Sequence, residues 1–515
     1  MSFHDVYLVS PLLAMAGLGI LVILFDLVTP RKGLLPAFAI LGLVAALVLL
    51  LIQYYDLDGT VNLVQEAGPL AGGEAGVLLG SLSVDRFSLF FSFLVLAATG
   101  LVILASVDYV DQMERHQGEY FGLILFSATG MMLLASATEL ITIYIALELT
   151  TLPLAALAAF MMTPNSSEAG MKFLIIGAIS SAIMLYGMAL IFGFTGSTSL
   201  EGIAASFQEP AQTVLGGGVP AFGSFAMLVG VVLLLVGFGF KLSTVPFQMW
   251  VPDVYQGAPT PVVAFLSVAS KAAAFAVLLR VFYLGFFDVG LDWGGLMAAL
   301  AAASMTIGNL VAISQSNIRR LLGYSTIAHA GYILVGVAAG VREFSGGGGL
   351  PEFVPVGPNS VLFYLGAYAA ANLTAFFAII AISNRIGSDR IDDYAGLARR
   401  SPVLAVALAL ALVALIGVPP TGVFIAKLYI FTAAVEAGLV WLAILGVVNS
   451  VVSAYFYIRI IRIMFLQPAT SEERVTASFS SWSAIGIAGA ATVWIGVAPG
   501  FVLRAAEAAT GVLSG

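Results

Sequence analysis

Apolar runs of roughly 18 to 25 residues, almost free of charge, recur along the whole chain with short polar or Gly/Pro-rich intervals between them. As helix, a run of that length crosses about 30 Å of hydrocarbon. A barrel would need short strands of alternating character instead, so the pattern predicts an all-α integral membrane protein. About fourteen transmembrane helices follow, at approximately 6–25, 34–53, 84–106, 119–137, 139–162, 171–194, 223–252, 260–284, 293–313, 318–340, 359–384, 402–432, 438–465 and 482–504. The tracts 54–83 and 342–358, the second reading REFSGGGGLPEFVPVGP, are expected to be loops.

Composition excludes an ordinary soluble domain, since 60% of the 515 residues are hydrophobic and only 9% are charged. The net charge of −8 comes from few groups, mostly in short loops, and no basic patch suits nucleic acid. With no cysteine and three histidines (His4, His116 and His329), neither an iron–sulfur cluster nor a haem pair is expected in this chain. The N-terminus, MSFHDVYLVSPLL, enters the first apolar run without a basic region or a small-residue cleavage site, so no cleaved signal is expected.

Charge between the spans predicts orientation. With Arg31 and Lys32 in the cytoplasm, Arg115, Lys172, Arg319, Arg320, Arg385, Arg390, Arg399, Arg400, Arg459, Arg462 and Arg474 fall on the same side. Only Arg86, Arg280, Arg342 and Arg504 fall opposite, so the positive-inside rule predicts both termini outside the cytoplasm.

An internal repeat is also visible. FLIIGAISSAIMLYGMALI at 173–191 aligns without gaps to LFYLGAYAAANLTAFFAII at 362–380, sharing Gly177/Gly366, Ala178/Ala367, Ala182/Ala371, Ala189/Ala378 and Ile191/Ile380. The same offset of 189 carries Lys241 to within three residues of Lys427. Two five-helix units follow, helices 4–8 and 9–13, and an odd number of spans per unit inverts the second relative to the first. Chance similarity of Ala/Gly-rich helices is the alternative. The predicted divisions are a three-helix segment at 1–118, repeats at 119–284 and 285–466, and a C-terminal helix at 467–515.

Against this background a few charges stand out. Of five lysines, three (Lys241, Lys271 and Lys427) lie inside predicted spans. Each costs about 2.5 to 3.5 kcal/mol on an insertion scale unless it faces a polar interior. Burial disfavours the charged form, which makes such a group an exchangeable proton carrier. Snorkelling toward an interface or a static ion pair are the other readings. Glu148, in ALELTTLPL, also lies well inside, and Glu148 with Lys241 is the preferred pair because charge on one alters proton affinity at the other. Glu139 falls on the opposite helix face near the outer end and reads as an interfacial acid. His329, in STIAHAGYILVG, suits proton relay between the lysines, with hydrogen-bonded packing as its alternative. Pro246 and Pro252 follow Lys241, and Pro419 and Pro420 precede Lys427, so spans 7 and 12 should be broken. Pro246 and Pro420 would free the carbonyls of Leu242 and Ile416, and broken helices at matching places in two halves point to an ion path.

Residues 238–275, FGFKLSTVPFQMWVPDVYQGAPTPVVAFLSVASKAAAF, resemble the seventh and eighth helices of the antiporter-like subunit N family of respiratory complex I. Further matching segments are ALELTTLPL at 146–154, EAGMKFLIIGAISSAIMLYG at 168–187, RRLLGYSTIAHAGYILVG at 319–336 and GVPPTGVFIAKLYIF at 417–431. The loop after Pro252-Asp253 separates this resemblance from the sister subunits L and M. The resemblance implies a proton channel of two inverted half-channels, with Glu148 and Lys241 in the first, Lys271 leading to His329, and Lys427 in the second. It departs at Gln248, where the family often has histidine, which leaves a relay role there in doubt.

The function so implied is outward proton pumping coupled to quinone reduction. The implied partners are other membrane-arm subunits, the lipid bilayer, protons and internal water, with no nucleic acid. Quinone, FMN and iron–sulfur clusters would belong to other subunits and no cofactor to this chain. The expected location is the inner (plasma) membrane or another energy-transducing membrane. The rival readings are a subunit of a multi-subunit sodium/proton antiporter and a non-conducting membrane scaffold.

Overall fold

A helix that is apolar on every face can meet either lipid or another helix, and the arrangement of helices decides which. The structure, a computed structural model, describes residues 3–29, 32–57, 76–78, 80–110, 116–208, 221–287, 293–342, 352–469 and 474–514. Arg31 and Arg115 lie outside them. In chain order the helices begin with α1 (Phe3–Val28), α2 (Leu35–Leu57), α3 (Arg86–Val110), α4 (Gln117–Ser136), α5 (Leu140–Ala158), α6 (Pro164–Thr195) and α7 (Leu200–Gln208). Next come α8 (Ala221–Leu242), α9 (Val251–Gly257), α10 (Thr260–Phe265) and α11 (Lys271–Arg280). The second half holds α12 (Trp293–Ala312), α13 (Ile318–Ala339), α14 (Val356–Ile386), α15 (Leu397–Arg400), α16 (Pro402–Ile416), α17 (Gly422–Glu436), α18 (Val440–Leu466), α19 (Phe479–Val497) and α20 (Gly500–Thr510).

Among the described residues, twelve helical stretches are long and apolar enough to cross a membrane. The two expected spans missing from that set are the seventh and twelfth. Each is broken, leaving the shorter apolar pieces Met227–Leu242 and Pro402–Ile416. Proline has no amide to donate, so α8 stops short of Pro246 and α16 short of Pro419 and Pro420.

Three stretches form the centre of the bundle: Thr260–Gly285, α13 and α14 are buried along almost their whole length. Their flanks are α1, α2, α6 and α18, which turn residues such as Leu41, Ile179 and Val451 outward. Small residues allow the central crossings. A Cβ at Gly331 of α13 would stand 2.6 Å from the Met305 amide of α12, so only glycine permits that approach. At the N-terminal end, Pro11 leaves the Tyr7 carbonyl without its helical donor, and Gln53 of α2 supplies one, donating to Tyr7 O and Leu8 O at 3.0 Å each. The Tyr7 hydroxyl donates to Asp56 Oδ2 at 2.8 Å and closes the same pairing.

Four details differ from the sequence-based expectation. Within the tract expected to be loop, Gly76–Leu78 pairs antiparallel with Leu82–Val84, and a second ribbon joins Val341–Arg342 to Glu352–Phe353. Such ribbons are too short to announce themselves by alternation. The sixth span begins at Pro164, where Thr163 caps the helix by accepting from the Ser166 amide. The last span ends at Val497, and the chain restarts as α20 beyond Pro499. Finally, the span holding Lys271 contains two π-helical turns, Leu266–Ser270 and Val281–Gly285.

Two charges in the interior form an ion pair. Arg280 is fully buried, and its Nη2 donates to both carboxylate oxygens of Asp85 at 2.7 and 2.8 Å while Nε donates to Ala135 O at 2.7 Å. Its guanidinium lies 4.8 Å from the Phe87 ring centre. The sequence alone placed Arg280 among basic residues of the outer ends. Instead it pins α3, α4 and α11 to one another, since a buried charge is tolerated only when paired and hydrogen-bonded. Asp85→Ala should lower stability by about 3 to 5 kcal/mol because it strands the guanidinium, while adding Arg280→Met should recover most of the loss. Thermal unfolding in detergent checks this, and an unchanged midpoint in Asp85→Ala would show the pair to be silent.

Candidate functional site

The chain's three buried lysines arise from three different local arrangements. Lys241 stands at the C-terminal end of α8, where Ser243 takes a left-handed φ of 64° and the helix stops. The break is held by Trp250, whose Nε1 donates to Phe240 O at 3.1 Å and so satisfies a carbonyl at the helix end. Lys241 Nζ donates to Thr151 Oγ1 of α5 at 2.7 Å, and that hydroxyl in turn donates to Leu147 O at 2.6 Å. Glu148 lies one turn from Thr151 on the same helix and accepts a hydrogen bond from Ser181 of α6. Lys241 therefore reaches α5 at Thr151, one helical turn from Glu148.

Lys271 follows directly after the π turn, at the start of α11. Its Nζ donates to the Thr326 carbonyl of α13 at 2.6 Å and lies 6.0 Å from the centre of the Tyr368 ring of α14. The Tyr368 hydroxyl shares a hydrogen bond with Thr326 Oγ1 at 3.0 Å. His329, one turn further along α13, has its ring 4.9 Å from that of Tyr368, and its Nδ1 shares a 2.8 Å hydrogen bond with the Tyr364 hydroxyl.

Lys427 projects from α17 back to the end of α16. Its Nζ donates to Ile416 O at 2.8 Å, to Leu415 O at 3.4 Å and to Ser450 Oγ at 2.9 Å. Ile416 is the residue whose carbonyl Pro420 leaves without a helical donor, so the break creates the acceptor that the lysine uses. Gly417 ends α16 with φ 88°, and a Cβ there would stand 2.9 Å from Lys427 Cδ. Only glycine meets both demands. The ammonium also sits 4.6 Å from the centre of the Tyr332 ring, which lies 5.7 Å from His329.

Lys271, Tyr368, His329, Tyr332 and Lys427 thus form one contiguous series across α11, α14, α13 and α17. The steps of this series are ring and cation–ring contacts, and among the described residues no hydrogen bond joins Lys241 to it. Glu139 stands at the position just before α5, where its carboxylate accepts from the hydroxyls of Thr198 at 2.7 Å and Thr142 at 3.2 Å. Gln248 lies in the break between α8 and α9, and its Oε1 has no partner among the described residues. No group of His, Cys, Asp and Glu suited to a metal ion occurs among the described residues.

The tyrosines, Thr326 and Ser450 were missed by the reading of charges. Helical spacing carries a usable signal, because Ser325, His329 and Tyr332 share one face of α13, as Tyr364 and Tyr368 share one face of α14. A second missed feature is the clamp at one end of the bundle. Asp253 of α9 accepts from Lys172 of α6 at 2.7 Å and from Arg320 of α13 at 2.6 Å, while Arg319 pairs with Asp389 at 2.6 Å. Burial pushes the Asp253 carboxyl up, but the hydrogen bonds and charges of Lys172 and Arg320 outweigh it and hold the group below the usual carboxylate range.

Two helices broken at proline, each bringing a buried lysine into a bundle of membrane helices, define an antiporter-like membrane protein. Residues 137–453 match the family described as NADH:quinone oxidoreductase/Mrp antiporter, TM. NADH-quinone oxidoreductase subunit N of Dehalococcoides mccartyi is 44% identical over 496 residues, covering 96% of each chain. Among solved structures, a chain of respiratory complex I from Thermus thermophilus with bound aureothin is 32% identical, with a TM-score of 0.75, over 97% of this chain and 99% of that one. A chain of the Mrp complex from Dietzia sp. shares the fold at a TM-score of 0.78 with 22% identity, over 100% of this chain and 98% of that one. The chain belongs to the family of subunit N of NADH-quinone oxidoreductase.

The clamp carries a pH signature. A carboxylate held low contributes stability that is complete above its unfolded value, near 3.8, and is lost as pH falls through the lower folded value. The difference in unfolding midpoint between the parent and Asp253→Asn should therefore stay constant between about pH 5 and 8 and shrink below about pH 4. A difference that grows on acidification would contradict the assignment.

Proposed function

We propose that this chain moves protons outward across an energy-transducing membrane as the antiporter-like membrane-arm subunit of NADH-quinone oxidoreductase, driven by quinone reduction elsewhere in the complex. The observation that carries this reading is the set of three buried lysines, each donating to uncharged oxygen acceptors rather than to a fixed carboxylate. An ammonium solvated in this way can lose its proton without stranding a counter-ion, whereas a static ion pair cannot. Membership of the subunit N family agrees with it.

The path in this reading runs through Glu148, Lys241, Lys271, His329 and Lys427. Glu148 and Lys241 take up the proton, Lys271 and His329 pass it inward between the halves, and Lys427 passes it toward the exit. Coulomb coupling keeps the steps in order: at an effective dielectric of about 20, unit charges roughly 6 Å apart interact by about 3 kcal/mol, a hundredfold change in proton affinity. The two halves are the inverted repeats 119–284 and 285–466, preceded by the three-helix segment 1–118 and followed by the helix in 467–515. The clamp face that holds Lys172, Arg319 and Arg320 is cytoplasmic, with both termini on the other side. Other membrane-arm subunits, lipid and internal water surround and hydrate the path, and quinone, FMN and iron–sulfur clusters reside in other subunits.

Lys241→Ala tests the reading. In membrane vesicles holding the complete complex, NADH-driven quinone reduction and proton uptake should both fall by at least about tenfold, with the complex still assembled on a native gel. Unchanged pumping in sodium-free buffer would sink the role of Lys241 and favour a scaffold, while pumping that requires sodium would favour a sodium/proton antiporter.

A further inference from the structure

Two asparagines inside membrane helices have no place in the proposed proton path. Asn309 of α12 and Asn449 of α18 are both buried. Within a span an amide must find its hydrogen-bond partners in the protein, because lipid supplies none. Both find them in a single network. Asn449 Nδ2 donates to Leu445 O at 3.0 Å and to Thr306 Oγ1 at 3.4 Å. Asn309 Nδ2 donates to Asn449 Oδ1 at 3.4 Å and to the Tyr332 hydroxyl at 3.1 Å.

The Leu445 carbonyl sets the direction of this network. A carbonyl can only accept, so Asn449 must turn its NH2 group toward Leu445 and its oxygen toward Asn309. Asn309 must then present its own NH2 group to that oxygen, and the second hydrogen of the same group goes to Tyr332. The tyrosine oxygen is thus held as an acceptor at the tip of a ring that lies 4.6 Å, at its centre, from the Lys427 ammonium. Ser450, the residue after Asn449, accepts from Lys427 Nζ at 2.9 Å. Successive helical residues point about 100° apart. One side chain of α18 therefore reaches the ammonium itself, and the preceding one reaches the ring beside it through α12.

A ring face against an ammonium favours its charged form. On the helices packed against α17, the other titratable groups in this part of the core are His329 of α13, Tyr364 and Tyr368 of α14 and Tyr457 of α18, while α16 and α19 carry none. The carboxylate of α17 itself, Glu436, is exposed at the far end of that helix. The charged form of Lys427 is consequently supported by neutral neighbours: the carbonyls of Leu415 and Ile416, the Ser450 hydroxyl and the Tyr332 ring.

We propose that Asn309 and Asn449 are positioning residues for Lys427: the amide pair anchors the Tyr332 hydroxyl and so keeps the tyrosine ring against the ammonium. This proposal rests on the proton-conducting reading of Lys427. Without the anchor the ring turns about its side-chain bonds, the charged lysine loses one of its neutral neighbours, and the proton leaves at lower pH.

Removing both amides together, in the double variant Asn309→Leu with Asn449→Leu, strands neither of them, so the unfolding midpoint should stay close to the parent's. In vesicles with the complete complex, NADH-driven proton uptake should keep its maximum, while the alkaline limb of its pH profile should move to lower pH by about half to one unit. Tyr332→Phe deletes the anchored oxygen and keeps the volume of the ring. It should move the limb the same way, and it decides the matter if the double variant fails to assemble. A role in packing alone predicts a uniform fall at every pH or no change, and either result, with Lys427→Ala inactive, would overturn the positioning role by itself. Parent-like pumping in Lys427→Ala would instead overturn the role of Lys427 and the positioning role with it.

Discussion

An ammonium inside a bilayer has to be solvated by the protein, and in this chain the helix geometry is arranged around that demand. Lys241 ends a helix and reaches a threonine hydroxyl on a neighbour. Lys271 follows a π turn and reaches a helical carbonyl. Lys427 reaches two carbonyls beside a proline break. In all three cases the acceptor is neutral. A carboxylate in contact would hold the proton in place, as Asp85 holds the charge of Arg280 at the other kind of buried site in the same molecule. The same molecule holds both solutions, neutral acceptors for the lysines and a carboxylate for Arg280.

Breaking a membrane helix is costly because its freed backbone groups find no water in hydrocarbon. Here the breaks are used. The indole of Trp250 takes up the Phe240 carbonyl at one, and Lys427 takes up the Ile416 carbonyl at the other. Backbone groups exposed by proline therefore become part of the polar lining. The central position of Thr260–Gly285, α13 and α14 keeps that lining away from lipid, while the outward residues of α1, α2, α6 and α18 meet the membrane or neighbouring subunits.

Aromatic residues connect the charged positions. Tyr332, Tyr364 and Tyr368 each present a ring face or edge to a lysine or to His329 and a hydroxyl to a polar neighbour. A ring fills space as an apolar side chain does, so the interior stays close-packed while hydroxyls remain within reach of one another. This lets a polar series cross a bundle core without an open pore.

Apolar runs of spanning length determined by themselves that the chain is a helical membrane protein, because no other structure hides so many apolar residues. Proline placement likewise determined that spans 7 and 12 are broken, since the missing amide acts locally. The charges of Glu148, Lys241, Lys271, His329 and Lys427 stood out because each is expensive in an apolar run. What pairs with them was decided only by tertiary structure. Thr151 meets Lys241 across 90 positions and Asp85 meets Arg280 across 195, and no local pattern specifies which helices become neighbours. Neutral partners such as tyrosine, threonine and backbone carbonyl leave no sign in hydropathy, so the ladder between the lysines became visible only when α11, α13, α14 and α17 were packed together.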